Sequence, residues 1–309
     1  LLVVHHRGVD GVSWRILLEE LACLCAGETL PALGHGLQDW MAYLVGEAGR
    51  ADRVGELAHW QAQVAPGYDL PFCGAGEADA GCLGDISVHD QVLDAELTHR
   101  VLSAPPVYRG EINDVLITAL GLALRRWGAE AGQDPGSVVI DLEGHGREVG
   151  ASGLDLTRTV GWFTSLYPVR LDLEELDLAE AFAGGDAAGH ALLRGKSALR
   201  CVPDKGLGYG VLRELNAETG AVLRAAPSAP IVFNYLGRFE HALEHGWSLS
   251  PEGLVGVASD PGQRRQHVMD VNAVLDGEGA LRVSWSYPGS LVDADEIARV
   301  AGFFEAALA

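Results

Sequence analysis

Lysine is almost missing from this chain. Lys196 and Lys205 are the only two, and 22 basic residues stand against 43 acidic ones for a formal net charge of −21. Such an excess of negative charge argues against nucleic-acid phosphates or an anionic membrane surface as partners. Long apolar runs are also lacking: none approaches the roughly 20 residues needed to span a bilayer, and no basic segment leads into an apolar one near the start. No membrane association and no secretory signal are expected. The five cysteines (Cys23, Cys25, Cys73, Cys82 and Cys201) are odd in number and contain no CxxC pair, so neither a disulfide framework nor a structural zinc site is indicated. A reducing cytoplasm is the expected setting. What is abundant is apolar side chain, 48% of 309 residues, enough for a sizeable core in two domains or in two lobes of one.

Helical spacing marks VSWRILLEELACLC from Val12, with Ser13 near its start, then stretches around Leu37 to Val45 and Val54 to Val64. Residues 65–84 are rich in Gly, Pro and Ala without periodicity and read as a loop or an inter-lobe connection. Beyond it, ISVHDQV reads as a strand, 94–103 as a short helix, and a longer helix is expected from Asn113, a good N-cap, to Trp127. SVVIDLE (137–143) alternates, with Val139, Asp141 and Glu143 on one face and Val138, Ile140 and Leu142 on the other. Further strands are expected at 164–173 and 230–235, a hairpin pairs 267–275 with 281–287, and an amphipathic helix closes the chain at 293–308. Helices and strands interleave without a repeat, which gives a mixed α/β class with a partly antiparallel sheet.

Four segments carry chemistry-bearing residues inside apolar surroundings. HHRGVDG (5–11) follows the apolar run Leu1 to Val4 and reads as a strand that delivers one imidazole into a site, since neighbouring side chains on a strand point to opposite faces. Taken alone, His5 and His6 read sooner as hydrogen-bonded structural histidines. A metal pair is disfavoured because no third ligand with suitable spacing lies nearby. EGHGRE (143–148) sets a carboxylate at a strand end beside glycines that let a substrate approach; desolvated there, Glu143 could serve as acid or base, or it could be a solvated loop residue. RTVGWFTSLYPV (158–169) interleaves aromatics with Gly161 and Pro168. FNYLGRF (233–239) places Asn234 and Tyr235 in an apolar run, where polar groups need partners if buried. GLGYG (206–210) lacks the spacing of a phosphate loop and no helix clearly follows it.

In order and spacing, HHRGVDGVSW, INDVLITALG, EGHGRE, RTVGWFTSLYPV, GLGYG and FNYLGRF resemble the motif set of epimerization domains of nonribosomal peptide synthetases, within the condensation-domain superfamily. The resemblance covers nearly the whole chain, and EGHGRE with FNYLG favours the epimerization branch. It implies a two-lobe, chloramphenicol-acetyltransferase-like α/β fold with mixed sheets and a tunnel between the lobes. Residues 1–80 would be the remainder of the N-terminal lobe, incomplete before Leu1, and residues 81–309 the C-terminal lobe. The strand bearing His5 and His6 would then lack sheet neighbours and leave open edges and apolar surface.

The implied reaction is reversible inversion, L to D, at the Cα of an aminoacyl or peptidyl thioester. That substrate is carried on the phosphopantetheine of an upstream peptidyl carrier domain, among neighbouring synthetase modules; no intrinsic cofactor and no metal are implied. His6 and Glu143 are the implied catalytic pair, one from each lobe. His5, Asp10, Arg147, Asn234 and Tyr235 support them: Asp10 would pair with Arg147, and Asn234 and Tyr235 would orient the substrate or donate to the thioester oxygen. Trp14, Gly144, His145, Trp162 and Tyr167 would line the tunnel. Two alternatives stay open, a condensation-type acyltransferase that forms an amide between carrier-bound substrates, and an inactive carrier-docking fragment.

Overall fold

A computed structural model describes residues 2–64, 81–147, 152–238 and 260–309. Cys73, Glu148 of EGHGRE, Phe239 of FNYLGRF and most of the 65–84 loop lie outside the described residues. Among the described residues six strands form one sheet: β1 (Ile86–Val92), β2 (Ser137–Gly144), β3 (Ser165–Asp172), β4 (Ile231–Arg238), β5 (Met269–Leu275) and β6 (Leu281–Pro288). Their order is β1-β6-β5-β4-β2-β3, with β2/β4 and β4/β5 parallel and the other pairs antiparallel. The class is mixed α/β, as the interleaved pattern implied.

Register makes the two faces of this sheet chemically different. Leu142 pairs with Phe233, Phe233 with Val271 and Val271 with Trp285, so these residues share one face with Val138, Ile140, Ile231, Met269, Ala273 and Val283. That face is the core, covered by α5 (Ala95–Val107), α6 (Ile112–Glu130) and the closing helix Ala294–Leu308. The opposite face carries Asp141 and Glu143 of β2, Asn234 of β4, Asp270 and Asn272 of β5, and Ser284 and Ser286 of β6. Because a strand's side chains alternate, one residue of slip would have exchanged the two sets.

Before the sheet come α1 (Gly11–Cys25), α2 (Leu37–Glu47), α3 (Ala51–Val54) and α4 (Leu57–Val64). The last three are held by two satellite clusters, Trp40 with Leu156, Phe163, Leu207 and Val211, and Trp60 with Leu212 and Leu223. Between β3 and β4 run α7 (Leu178–Phe182), α8 (Asp186–Arg200), α9 (Leu207–Gly210) and α10 (Ala217–Arg224); Ala294–Leu308 is α11. Among the described residues no helix is long and apolar enough to cross a membrane.

Three local expectations need correction. His5 and His6 do not end a strand: residues 2–5 form none, and His6–Gly8 is a 3-10 turn closed by Gly8 N–H to His5 O (2.8 Å) and Val9 N–H to His6 O (3.2 Å). With no described neighbour to ladder against, the backbone satisfies itself locally. The helix expected from Asn113 starts at Ile112 with Glu111 at the cap, because Asp114 reaches back to accept the Glu111 N–H at 2.7 Å. GLGYG does enter a helix, α9. Its first glycine adopts φ +88°, and a Cβ there would fall 1.9 Å from the Tyr167 ring, so this glycine serves close packing.

Candidate active site

Three of the sequence motifs meet at one buried carboxylate. Asp10 caps α1, accepting the Ser13 N–H at 2.7 Å, and its other oxygen accepts the Phe163 N–H at 3.0 Å. Arg147, from EGHGRE, approaches the same carboxylate at 3.1 Å. Its guanidinium also donates to Leu156 O at 3.0 Å, Thr159 O at 2.6 Å and Ser13 Oγ at 3.0 Å, and it lies over the Phe163 ring at 4.1 Å. Ser13, seen in the sequence only as a possible helix start, donates to Gly161 O at 2.8 Å and accepts the Gly161 N–H at 3.0 Å. HHRGVDG, EGHGRE and RTVGWF are thereby stapled into one frame, through the Asp10–Arg147 pairing that the sequence suggested.

His6 projects from the rim of that frame. Its Nδ1 lies 2.8 Å from Val9 O. A carbonyl only accepts, so Nδ1 carries the hydrogen, and in the neutral ring Nε2 keeps its lone pair free. The Trp162 ring stands 4.3 Å from the imidazole and fixes its plane from the other side. His5 has the opposite polarity, since its Nδ1 accepts the Arg7 N–H at 3.1 Å. One histidine of the pair therefore offers a free acceptor nitrogen, and the other braces the turn.

Glu143 sits at the end of β2 on the polar face of the sheet. Solvent still reaches it, yet protein surrounds it closely enough that burial pushes its carboxyl above the usual glutamate value; Asp270 pushes in the same direction, while His267 and His6 oppose. Asn234 Nδ2 donates to Glu143 Oε2 at 2.7 Å. Asn234 thus orients the carboxylate.

Tyr235 does not accompany it. As the next residue on β4 it faces the other way, pairs with Ala273 and lies against the core, which corrects the expectation that both side chains would meet substrate. Tyr167 is likewise turned away: it shares the face of Leu142 and lies between the core and Trp60, a packing position rather than a tunnel wall. His145 holds the EGHGRE turn by accepting the Arg147 N–H at 3.1 Å. Gly144 pairs with Ser165 at the end of the β2/β3 ladder, Trp162 is open to solvent, and Trp14 is half-buried on α1.

Gly146 makes the EGHGRE turn possible. It has φ +64°, and a Cβ would fall 1.6 Å from Phe163 O. Gly146→Ala is expected to destabilise the chain by more than about 1 kcal/mol, because both conformation and space are wrong. Urea unfolding checks this; a midpoint equal to wild type would contradict it.

Two buried groups of the polar face escaped the sequence reading. His267 Nε2 contacts Asp141 Oδ2 at 2.8 Å, and Arg265 Nη2 contacts Asp270 Oδ2 at 2.9 Å. RRQHVMD carried the signal, charged residues leading into a strand whose apolar positions alternate.

The condensation-domain family model matches residues 1–309. A linear gramicidin synthase polypeptide of Brevibacillus parabrevis is 38% identical over all of this chain, which spans 6% of that protein. Bacitracin synthase 3 of Bacillus licheniformis is 34% identical, again over the whole chain and 5% of that protein. Among solved structures, the epimerization domain from the third module of tyrocidine synthetase B superposes with a TM-score of 0.81 at 32% identity, covering 99% of this chain and 66% of that one. The first condensation domain of the calcium-dependent antibiotic synthetase gives 0.65 at 19% identity, over 99% of this chain and 62% of that one, a likeness of fold alone.

Proposed function

The chain belongs to the condensation-domain family of nonribosomal peptide synthetases, and from that premise we propose that it inverts the Cα of an aminoacyl or peptidyl thioester presented by a peptidyl carrier domain. The observation that carries this reading is the placement of Glu143, at the end of β2 on the polar face of the sheet, its carboxylate held by Asn234 at 2.7 Å, on the strand end that the Asp10–Arg147 pair ties to the His6 turn. Desolvation pushes its carboxyl in the direction of holding a proton. Inversion at Cα needs a base on one side of the carbon and an acid on the other. The thioester makes the α-proton acidic enough for side chains of ordinary strength, so no cofactor is called for. His6 Nε2 can take a proton, and a protonated Glu143 can give one; on the return path the two exchange roles. The Asp10–Arg147 frame supports both, since it ties the His6 turn to the strand end that bears Glu143. In this reading residues 1–80 belong to one lobe and 81–309 to the other.

The proposal is tested by the stereochemical end point. Carrier loaded with the L-aminoacyl group and carrier loaded with the D-aminoacyl group are each offered to this chain within its synthetase, and the released acid is resolved by chiral chromatography. Both should converge on the same mixture, because a catalyst speeds both directions. Complete conversion to one epimer would contradict the scheme. Amide formation with an added acceptor amine, without inversion, would instead favour the condensing acyltransferase, and no reaction at all would favour a docking role.

A further inference from the structure

We propose that Arg53 and Asp204 are positioning residues for Glu143: their ion pair holds a strained turn against which the end of β2 rests. Arg53 of α3 is 6% exposed and is ringed by carboxylates. Its Nη2 lies 2.8 Å from Glu47 Oε2 and 2.9 Å from Asp204 Oδ2, and its Nη1 lies 2.7 Å from Glu56 Oε1. Glu47 and Glu56 are neighbours in sequence, whereas Asp204 comes from 151 residues away. The same side of the molecule grips the residues that follow Asp204. Glu56 Oε2 accepts the Trp60 Nε1–H at 3.1 Å, a Cβ on Gly208 would fall 1.9 Å from that oxygen, and the Trp60 ring stands 5.4 Å from that of Tyr209. PDKGLGYG (203–210) is thus clasped by the α3–α4 segment at three places along its length.

What Arg53 holds is a conformation that side chains resist. Asp204, Lys205 and Gly206 have φ of +43°, +49° and +88° in succession, a region that glycine enters freely and residues with a Cβ do not. Two such residues in a row persist only where their surroundings over-determine them. The turn then meets the sheet. A Cβ on Gly206 would strike the Tyr167 ring at 1.9 Å, and a Cβ on Gly144 would stand 3.7 Å from that ring and 4.0 Å from Lys205 O. Gly144 directly follows Glu143 and shares the opposite face of the β2/β3 ladder with Leu142 and Tyr167. The turn therefore backs the strand end from behind, while Asn234 holds the Glu143 carboxylate in front. Its consequence for catalysis rests on the proposed role of Glu143; the contacts do not.

Asp204→Ala and Asp204→Gly separate strain from loss of the ion pair. Both delete the carboxylate and leave Arg53 its bonds to Glu47 and Glu56, yet only glycine is at ease with φ +43°. The strand end is read without substrate, by NMR of the side-chain amides of the four asparagines in ¹⁵N-asparagine-labelled chain, well below the melting temperature of each variant. The Asn234 signal, assigned with Asn234→Asp, reports the bond to Glu143. In Asp204→Ala it should move toward that of a free amide, and kcat for inversion should fall about ten- to a hundredfold with KM little changed, the size expected when a reacting group is misplaced from a distance. Asp204→Gly should hold the Asn234 signal closer to wild type and keep a kcat about tenfold above the alanine variant, matching the steric cost of the left-handed conformation. Arg53→Gln should resemble Asp204→Ala, and adding Asp204→Gly to it should recover the glycine value. Equal behaviour of the alanine and glycine variants overturns the inference, whether both resemble wild type or both are impaired. Should Arg53→Gln fail to fold, the Asp204 pair decides alone. If the Asn234 signals follow the prediction and wild type does not invert a thioester, the functional reading falls and the positioning stands. If inversion is intact and the signals are alike in the two variants, the positioning falls.

Discussion

Glu143→Gln is expected to slow Cα inversion by about 10²- to 10⁴-fold, the usual contribution of a positioned proton donor or acceptor, while leaving the chain at least as stable as before. Glutamine keeps the shape and can still accept the Asn234 N–H through its amide oxygen, so the local geometry has little reason to change. What it loses is the ability to hold and release a proton. The stability effect follows from the direction of the shift. Burial raises the folded-state value of Glu143 above the ordinary glutamate range, so the native state binds this proton more tightly than the unfolded chain. Stability is therefore surrendered as pH rises from the ordinary range through the raised value, and because solvent reaches the Glu143 carboxyl the loss is small. Melting temperatures of wild type and Glu143→Gln should coincide in acid and separate as pH rises, with the variant higher. Wild-type inversion rates in the variant would remove Glu143 from the chemistry. A variant that melts lower at every pH would mean that the side chain serves folding.

Asp10→Ala is expected to produce the largest loss of stability in this region, about 3–5 kcal/mol, because it strands the Arg147 guanidinium in a place that water hardly reaches. Asp10 is 2% exposed and does three things at once: it caps α1, receives the Phe163 N–H and neutralises Arg147. Burial alone would raise its pKa, but the hydrogen bonds from Ser13 and Phe163 and the charge of Arg147 outweigh that and leave it below the ordinary aspartate value. A carboxyl depressed in the folded state contributes stability that is complete above the ordinary aspartate value and lost as pH falls through the depressed one. The gap between wild type and Asp10→Ala in chemical denaturation should thus be widest at neutral pH and narrow in acid. Removing both partners should cost less than the sum of the single changes, since no buried charge is then left unmatched. A loss within about 1 kcal/mol for Asp10→Ala at neutral pH would contradict the frame described here.

Strands are the most legible part of the chain, and the reason is visible in their residues. SVVIDLE, MDVNAVL and LRVSWSY alternate because one face of the sheet is core and the other is polar, so period two survives in the sequence. The segment 178–224 holds α8 and α10, whose buried positions are mostly small residues, Ala187, Ala191 and Gly195 in α8 and Thr219 and Gly220 in α10, so no run of large apolar side chains announces them. Gly189 and Gly195 dilute the helical pattern of α8, and the strained turn at Asp204 and Lys205, both with positive φ, breaks the chain between helices. The HHRGVDG turn misleads for a different reason: Leu2, Val3 and Val4 look like a strand in composition, but they are exposed and have no described ladder partner.

At the site, the ordered motifs carry His6, Glu143 and the Asp10–Arg147 pair as candidates, because residue type and spacing suffice to flag them. Pairing and direction need coordinates. Only register separates Asn234 from Tyr235, and only the fold brings His267, 126 residues away in sequence, against Asp141.

Deuterium wash-in at Cα tests the proposed chemistry most directly. Carrier loaded with an L-aminoacyl thioester is incubated in heavy water with this chain in its synthetase, and the released amino acid is weighed by mass spectrometry and resolved by chirality. Deuterium at Cα in both epimers, suppressed by Glu143→Gln, is the expected result; unlabelled L-amino acid with the wild-type chain would contradict it.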